Sequence, residues 1–168
     1  MAVVQEYDPQ RDGQVVRACF VELQEAEREF EPELPPGEEA ADAYLKLLFA
    51  GCEKWDGQVF VAEVENEAVG FVCVHAHMTI HDPDEAPKEF AYVSDISVLT
   101  RHRGRGLGRA LLSWAEQYAC ERGATTLRLL VLSQNTVAKQ LYVASGFREW
   151  FVQMTKRSEP LTKLRLIP

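Results

Sequence analysis

Residues 101–112, RHRGRGLGRALL, crowd Arg101, His102, Arg103, Arg105 and Arg109 around Gly104, Gly106 and Gly108. The chain as a whole is acidic, with 18 Lys+Arg against 26 Asp+Glu and a net charge of −8, so this local excess of arginine points to a bound anion. Phosphate suits such a stretch. The first N–H groups of a helix have no partner within it, the helix dipole turns its positive end toward them, and glycine lets the main chain approach closely. A nucleoside-triphosphate loop would need Gly-x-x-x-x-Gly-Lys-Ser/Thr, and a dinucleotide fingerprint would need glycine where Arg109 stands. A pyrophosphate carried by some other molecule fits better. Two plainer readings stand beside it: Arg101 and His102 as solvated loop residues, and Arg109 as the partner of a nearby carboxylate.

Other chemistry-bearing residues give weaker signals. Cys19, Cys52, Cys73 and Cys120 lie far apart without a Cys-x-x-Cys pair, which offers no zinc or dithiol motif, and free thiols among apolar neighbours behave as small hydrophobes. His75 and His77 are two apart in an apolar run and are expected to share a strand face. Only the distant His81 offers a third ligand, so no metal site is expected. Eight glutamates, Glu22, Glu25, Glu27, Glu29, Glu31, Glu33, Glu38 and Glu39, fall in one segment. They read as a solvated helix face or as an acidic rim that concentrates a cation.

The elements that must position these residues are legible from periodicity. AVVQEY is a short strand ended by DPQRDG, and from Val16 the apolar residues Cys19, Phe20, Leu23 and Phe30 recur with a helical period. Pro35-Pro36 breaks the chain before a second helix carrying Ala41, Tyr44, Leu45, Leu48, Cys52 and Trp55. QVFVAEV and AVGFVCVHAHMTI form a hairpin across ENE, HDPDEAPKE is a loop, and FAYVSDISVL is a further strand. The glycine loop opens an amphipathic helix, with Leu107, Ala110, Leu111, Trp114 and Tyr118 on one side and Gly123 at its end. TTLRLLVL is a strand, NTVAKQLYVAS a short helix, and FREWFVQMTK and LTKLRLI two closing strands. The fold class is therefore α/β (α+β): a mixed, mostly antiparallel central sheet flanked by about four helices, in the order β-α-α-β-β-β-α-β-α-β-β.

At 168 residues, 46% of them hydrophobic, the chain is read as one domain over residues 1–168 with a sizeable core. Charged residues interrupt every apolar run, so no membrane span is expected. The start MAVVQEYDPQRDG lacks the pattern of a secretory signal, and the cytoplasm is the expected location. The acidic balance and the absence of aromatic interleaving around the arginines argue against a nucleic-acid partner.

Two blocks together resemble one family. RGRGLG, residues 103–108, matches Gln/Arg-x-x-Gly-x-Gly/Ala, which marks the acetyl-CoA loop of the GNAT superfamily of N-acyltransferases. NTVAKQLYVASGF, residues 135–147, resembles the later block Asn-x-x-Ala-x-x-Leu-Tyr-x-x-x-Gly-Phe. The order of elements is similar over nearly the whole chain. The resemblance implies that the main chain of Ile96, Ser97 and Val98 pairs with the pantetheine arm of acetyl-CoA. It implies that Arg103, Gly104, Arg105, Gly106, Leu107, Gly108 and Arg109 wrap the pyrophosphate, that Asn135 contacts the cofactor, and that Tyr142 sits beside the sulfur.

Moving acetyl from a thioester to an amine needs a neutral amine and a proton for the leaving CoA thiolate. A phenol suits the second task, and the motif assigns it to Tyr142. Some members carry a glutamate on the strand five positions before the motif asparagine, where this chain has Leu130. Asp95, in DISVLTRHRGRG, is the substitute: that segment locally resembles the spermidine/spermine acetyltransferases, and a carboxylate there would bind the ammonium group or accept its proton. The other reading of Asp95 is a salt bridge at a strand end, and of Tyr142 a core tyrosine. The expected function is direct acetyl transfer to the primary amine of a small cationic metabolite, polyamine- or aminoglycoside-like, with CoA as product. A protein or peptide acceptor, or a CoA-binding regulatory module without turnover, is the alternative. With no Cys–His partnership evident, an acetyl-enzyme has no support. FREWFVQMTK, with Trp150 and Phe151, reads either as the surface of a homodimer or as core packing.

Overall fold

A computed structural model describes residues 3–80 and 88–156. In chain order it comprises β1 (Val3–Glu6), α1 (Pro9–Arg28), α2 (Gly37–Lys54), β2 (Gly57–Val64), β3 (Glu67–Ile80), β4 (Lys88–Val98), a 3-10 turn (Thr100–His102), α3 (Leu107–Glu121), β5 (Leu127–Arg128) and α4 (Thr136–Ala144). The five strands lie in sequence order in one sheet. The first four pair antiparallel, and β4 pairs with β5 in parallel.

The strands alternate between two cores, as a sheet covered on both faces must. Val59, Val61, Phe71 and Cys73 turn toward Val16 and Cys19 of α1 and Leu48 of α2. Phe60, Ala62, Val72 and Val74 turn toward Leu107, Leu111, Leu112 and Ala115 of α3. Leu141, Tyr142 and Phe147 close the α3 side near α4. No helix among the described residues is long and apolar enough to cross a membrane.

Three boundaries differ from the sequence reading. The first helix begins at Pro9 rather than near Val16, because Asp8 caps it by accepting the Gln10 N–H at 2.8 Å and Pro9 opens it. A proline at the first helical position sacrifices no hydrogen bond, so DPQRDG starts the helix instead of ending the strand. TTLRLLVL keeps only Leu127–Arg128 as strand. FREWFVQMTK, residues 147–156, has no strand; its neighbour β5 is two residues long and offers almost no ladder to join. Trp150 there lies against the Arg128 guanidinium at 4.2 Å, which also meets Phe90 at 4.0 Å. LTKLRLI, His81 and most of HDPDEAPKE lie outside the described residues.

Candidate active site

The sheet opens where the chemistry-bearing residues meet. β4 runs on to Val98, but its ladder with β5 holds only Ala91 to Leu127 and Tyr92 to Arg128. Past Tyr92 the edge of β4 that faces β5 has no strand beside it among the described residues, and such an edge can accept an extended ligand as an added strand. Between Tyr92–Ile96 and residues 129–132 lies a cavity of about 250 Å³, closed by Phe20, Leu23 and Glu27 of α1, Tyr44 of α2, and Asn135 and Tyr142 near α4.

Asp95 is buried, 7% exposed, and accepts a hydrogen bond from the Tyr44 hydroxyl at 2.9 Å. Its second oxygen, Oδ2, has no protein partner among the described residues. Burial raises its pKa above the ordinary value, against the lowering effects of the neighbouring Ser94 hydroxyl, the Tyr44 hydrogen bond and the nearby His75. Glu27 is partly buried in the same cavity, and its pKa is raised by burial and then by the neighbouring Asp95 charge. The phenol of Tyr142 is pushed up to about 12, by burial first and then by Glu27, Asp95 and Tyr92. Tyr142 thus stays protonated over the physiological range, as a proton donor must, while Asp95 and Glu27 set two carboxyl groups in the cavity wall.

The loop after β4 is built by backbone conformation. Gly104 and Gly106 have φ of +74° and +81°, a region that disfavours residues with a Cβ. Gly106 caps α3 without any side-chain bond, and the first intrahelical bond runs from Ala110 N–H to Gly106 O at 3.1 Å. The N–H groups of Leu107, Gly108 and Arg109 are therefore the orphan donors of the first turn, and the space where Cβ atoms on Gly104 and Gly106 would stand is open. These donors and this space fit a pyrophosphate. The Leu107 side chain is in the core, so only its main chain can serve. Gly108 has a different task from the other two: a Cβ there would meet Leu141 at 3.0 Å, so glycine lets α3 and α4 approach.

The arginines divide. Arg103 Nε donates to the Val98 carbonyl at 2.8 Å and braces the loop against the end of β4. Arg101 Nε donates to His102 Nε2 at 3.1 Å. Arg105 and Arg109 are exposed, and no carboxylate holds Arg109 among the described ion pairs. Of the main-chain positions on β4, Ile96 lines the cavity, whereas the Ser97 hydroxyl donates to the Cys19 carbonyl at 3.1 Å. Asn135 caps α4 by accepting the Ala138 N–H at 3.1 Å, a structural duty beside its place in the cavity wall.

Glu27, Tyr44 and Tyr92 are site residues that sequence reasoning missed. The signal for Glu27 was present: Val16, Phe20, Leu23 and Glu27 share a helical face, so a charge sat on an apolar stripe. Three of the other glutamates have separate tasks. Glu22 accepts from Thr100 N–H at 2.7 Å, Glu25 from Gly37 N–H at 2.6 Å, and Glu38 pairs with Arg17 at 2.7 Å. His75 and His77 do not make a joint site. The ladder shifts register between His75 and Met78, His75 is buried beside Cys73, and His77 meets Asp56 and Glu89. A Cys–His partnership does exist, in Cys52, Cys73 and His75, contrary to the sequence expectation. None of the three lines the cavity.

The sequence profile of the Acetyltransferase (GNAT) family matches residues 20–147. The uncharacterized N-acetyltransferase YycN of Bacillus subtilis is 31% identical over 93 residues, 55% of this chain and 56% of that protein. The L-2,4-diaminobutyric acid acetyltransferase of Nocardia farcinica is 29% identical over 126 residues, 75% of this chain and 59% of its own length. The chain thus spans little more than half the length of these two relatives. Among solved structures, the tetramutant of the BH1408 protein from Bacillus halodurans shares the fold, with a TM-score of 0.68 at 24% identity over 95% of this chain and 99% of that one.

Proposed function

Because the chain belongs to the acetyltransferase (GNAT) family of acetyl-CoA-dependent N-acyltransferases, we propose that it moves acetyl from acetyl-CoA directly onto the primary amine of a small cationic metabolite. The observation that carries this reading is the meeting of Asp95, Glu27 and Tyr142 in one cavity at the point where β4 parts from β5. The thioester cofactor supplies the activated acetyl group when bound. The first-turn N–H groups of α3, with Arg105 and Arg109, hold its pyrophosphate, and the free edge of β4 at Ile96 to Val98 takes its arm. Asp95 binds the acceptor's ammonium group and takes its proton, directly or through water. Tyr142 donates a proton to the departing sulfur.

Glu27 narrows the acceptor to one that carries a second positive charge. A single carboxylate suffices for the reacting ammonium, and a second, partly buried one beside it favours a diamine or polyamine. The relative named for diaminobutyric acid supports this class. Leu130, where some members have a glutamate, is exposed and leaves the base assignment to Asp95.

The test is CoA release from acetyl-CoA against separate pools of polyamines and diamino acids, aminoglycosides, monoamines and short peptides. The expected result is saturable release with the multiply charged pools and little with monoamines. Release that requires a peptide would move the acceptor to a protein amine. Binding of acetyl-CoA without release in any pool would favour a regulatory module.

A further inference from the structure

On the α1/α2 side of the sheet, Cys52 near the end of α2 approaches Cys73 of β3 with Sγ atoms 3.5 Å apart. Cys73 Sγ in turn lies 3.7 Å from Nε2 of His75. The three donor atoms lie within 4.8 Å of one another. A tetrahedral zinc ion, with bonds of about 2.3 Å to sulfur and 2.0–2.1 Å to nitrogen, sets its ligands about 3.8 Å apart for two sulfurs and about 3.6 Å for sulfur and nitrogen. The Cys52–Cys73 and Cys73–His75 separations already stand close to those values.

The imidazole has a place reserved for it. A Cβ on Gly51 would come within 3.0 Å of His75 Nε2, and one on Gly57 within 2.7 Å of His75 Cδ2. Gly57 is also the ladder partner of His75. Gly51 leaves room for the ring alone, whereas Gly57 also keeps clear of Cys52 Cα and the Val74 carbonyl, which a Cβ would meet at 2.8 and 2.9 Å. The ring's other nitrogen, Nδ1, has no protein partner among the described residues, so no competing bond turns the ring from the thiols. Packing alone explains one buried and one half-buried cysteine. It does not by itself bring an imidazole nitrogen to 3.7 Å from a sulfur that lies 3.5 Å from a second one.

We propose that Cys52, Cys73 and His75 form a binding site for a soft divalent cation of the zinc type, with water in the fourth position. Two metal–sulfur bonds replace two S–H bonds, the two protons pass to solvent, and no electron moves. The ion ties the last turn of α2 to β3, on the strand position that pairs with Asp95. Its role is that of a staple behind the cavity, independent of the acetyl-transfer reading.

The untagged full chain, kept reduced, is titrated with Co²⁺ and then with Zn²⁺. One Co²⁺ per chain is expected to give thiolate-to-cobalt charge transfer and the intense visible bands of a tetrahedral site, all abolished by Zn²⁺. Cys52→Ser and Cys73→Ser should each remove the charge-transfer band, and Cys120→Ser, at an exposed cysteine, should leave it. Zn²⁺ at about a hundredfold excess over its Kd should raise Tm by roughly 5–10 °C in the wild type. Cys52→Ser, at a half-buried position, should fold but lose most of that shift. Stoichiometry well below one, or a band and Tm shift that survive in Cys52→Ser, would overturn the site. So would air oxidation to a Cys52–Cys73 disulfide with no metal uptake under reductant.

Discussion

At the scale of single residues, function rests on burial working against charge. Asp95 keeps an ionisable carboxyl in a buried place, with one oxygen held by Tyr44 and the other without a protein partner among the described residues. Its pKa is raised, chiefly by burial, above the ordinary 3.8. Above that ordinary value the unfolded chain releases the proton while the folded chain still holds it, so the folded state binds more protons and stability falls as pH rises through the window up to the raised value. Asp95→Asn retains the acceptor for the Tyr44 hydroxyl and has no charge to bury. Its Tm relative to wild type is expected to climb as pH rises above the ordinary carboxyl value, while its turnover falls by on the order of a hundredfold or more; thermal scans beside rate assays check both. Glu27→Gln is expected to raise KM for a diamine about tenfold or more while leaving KM for a monoamine within about twofold, since a desolvated charge-assisted bond contributes about 1.5–3 kcal/mol. Asp95 and Tyr142, singled out in the sequence by a local resemblance and by a motif position respectively, both line the cavity. Glu27 was not singled out because seven other glutamates surround it, and only the fold shows which of them faces the cavity.

At the scale of elements, the glycine loop and the α3–α4 contact ask different things of similar residues. Gly106→Val puts a β-branched residue at a φ of +81°, which costs about 1–2 kcal/mol, and places a side chain over the orphan N–H groups of α3. Its affinity for acetyl-CoA, measured by calorimetry, should drop at least about tenfold with the far-UV spectrum intact; normal affinity would remove the loop from the cofactor site. Gly108→Val meets Leu141 instead, so its main effect should be on stability, a loss of about 1–3 kcal/mol in denaturant unfolding. Strands β2, β3 and β4 and helices α2, α3 and α4 were legible because long periodic runs decide them. The start of α1 was misread because Pro9 signals a break and a helix opening alike, and only the Asp8 cap distinguishes the two. Residues 129–132 and 147–156 resemble strands by composition, yet strand formation depends on a neighbour's ladder, which local sequence does not carry. The Cys52–Cys73–His75 cluster was invisible for the same reason, since α2 and β3 meet only in the folded chain.

At the scale of the whole molecule, the proposed function has the net charge of −8 and the arginine-rich loop divide the work of attraction, the body of the protein drawing a cationic acceptor and the loop the phosphates. Raising ionic strength from about 0.1 to about 1 M shortens the screening length from about 10 to about 3 Å. The value of kcat/KM for a polyamine should fall several-fold over that range and far less for a neutral amine, as initial rates in a salt series will show. The central claim is that the opening between β4 and residues 129–132 is where acetyl changes hands. Its most direct test is amine-dependent CoA release by the wild type and Tyr142→Phe, with acetyl-CoA affinity measured on the same samples. The account predicts that turnover falls by about a hundredfold or more in the variant while acetyl-CoA affinity stays within about threefold. Wild-type turnover by Tyr142→Phe would contradict it.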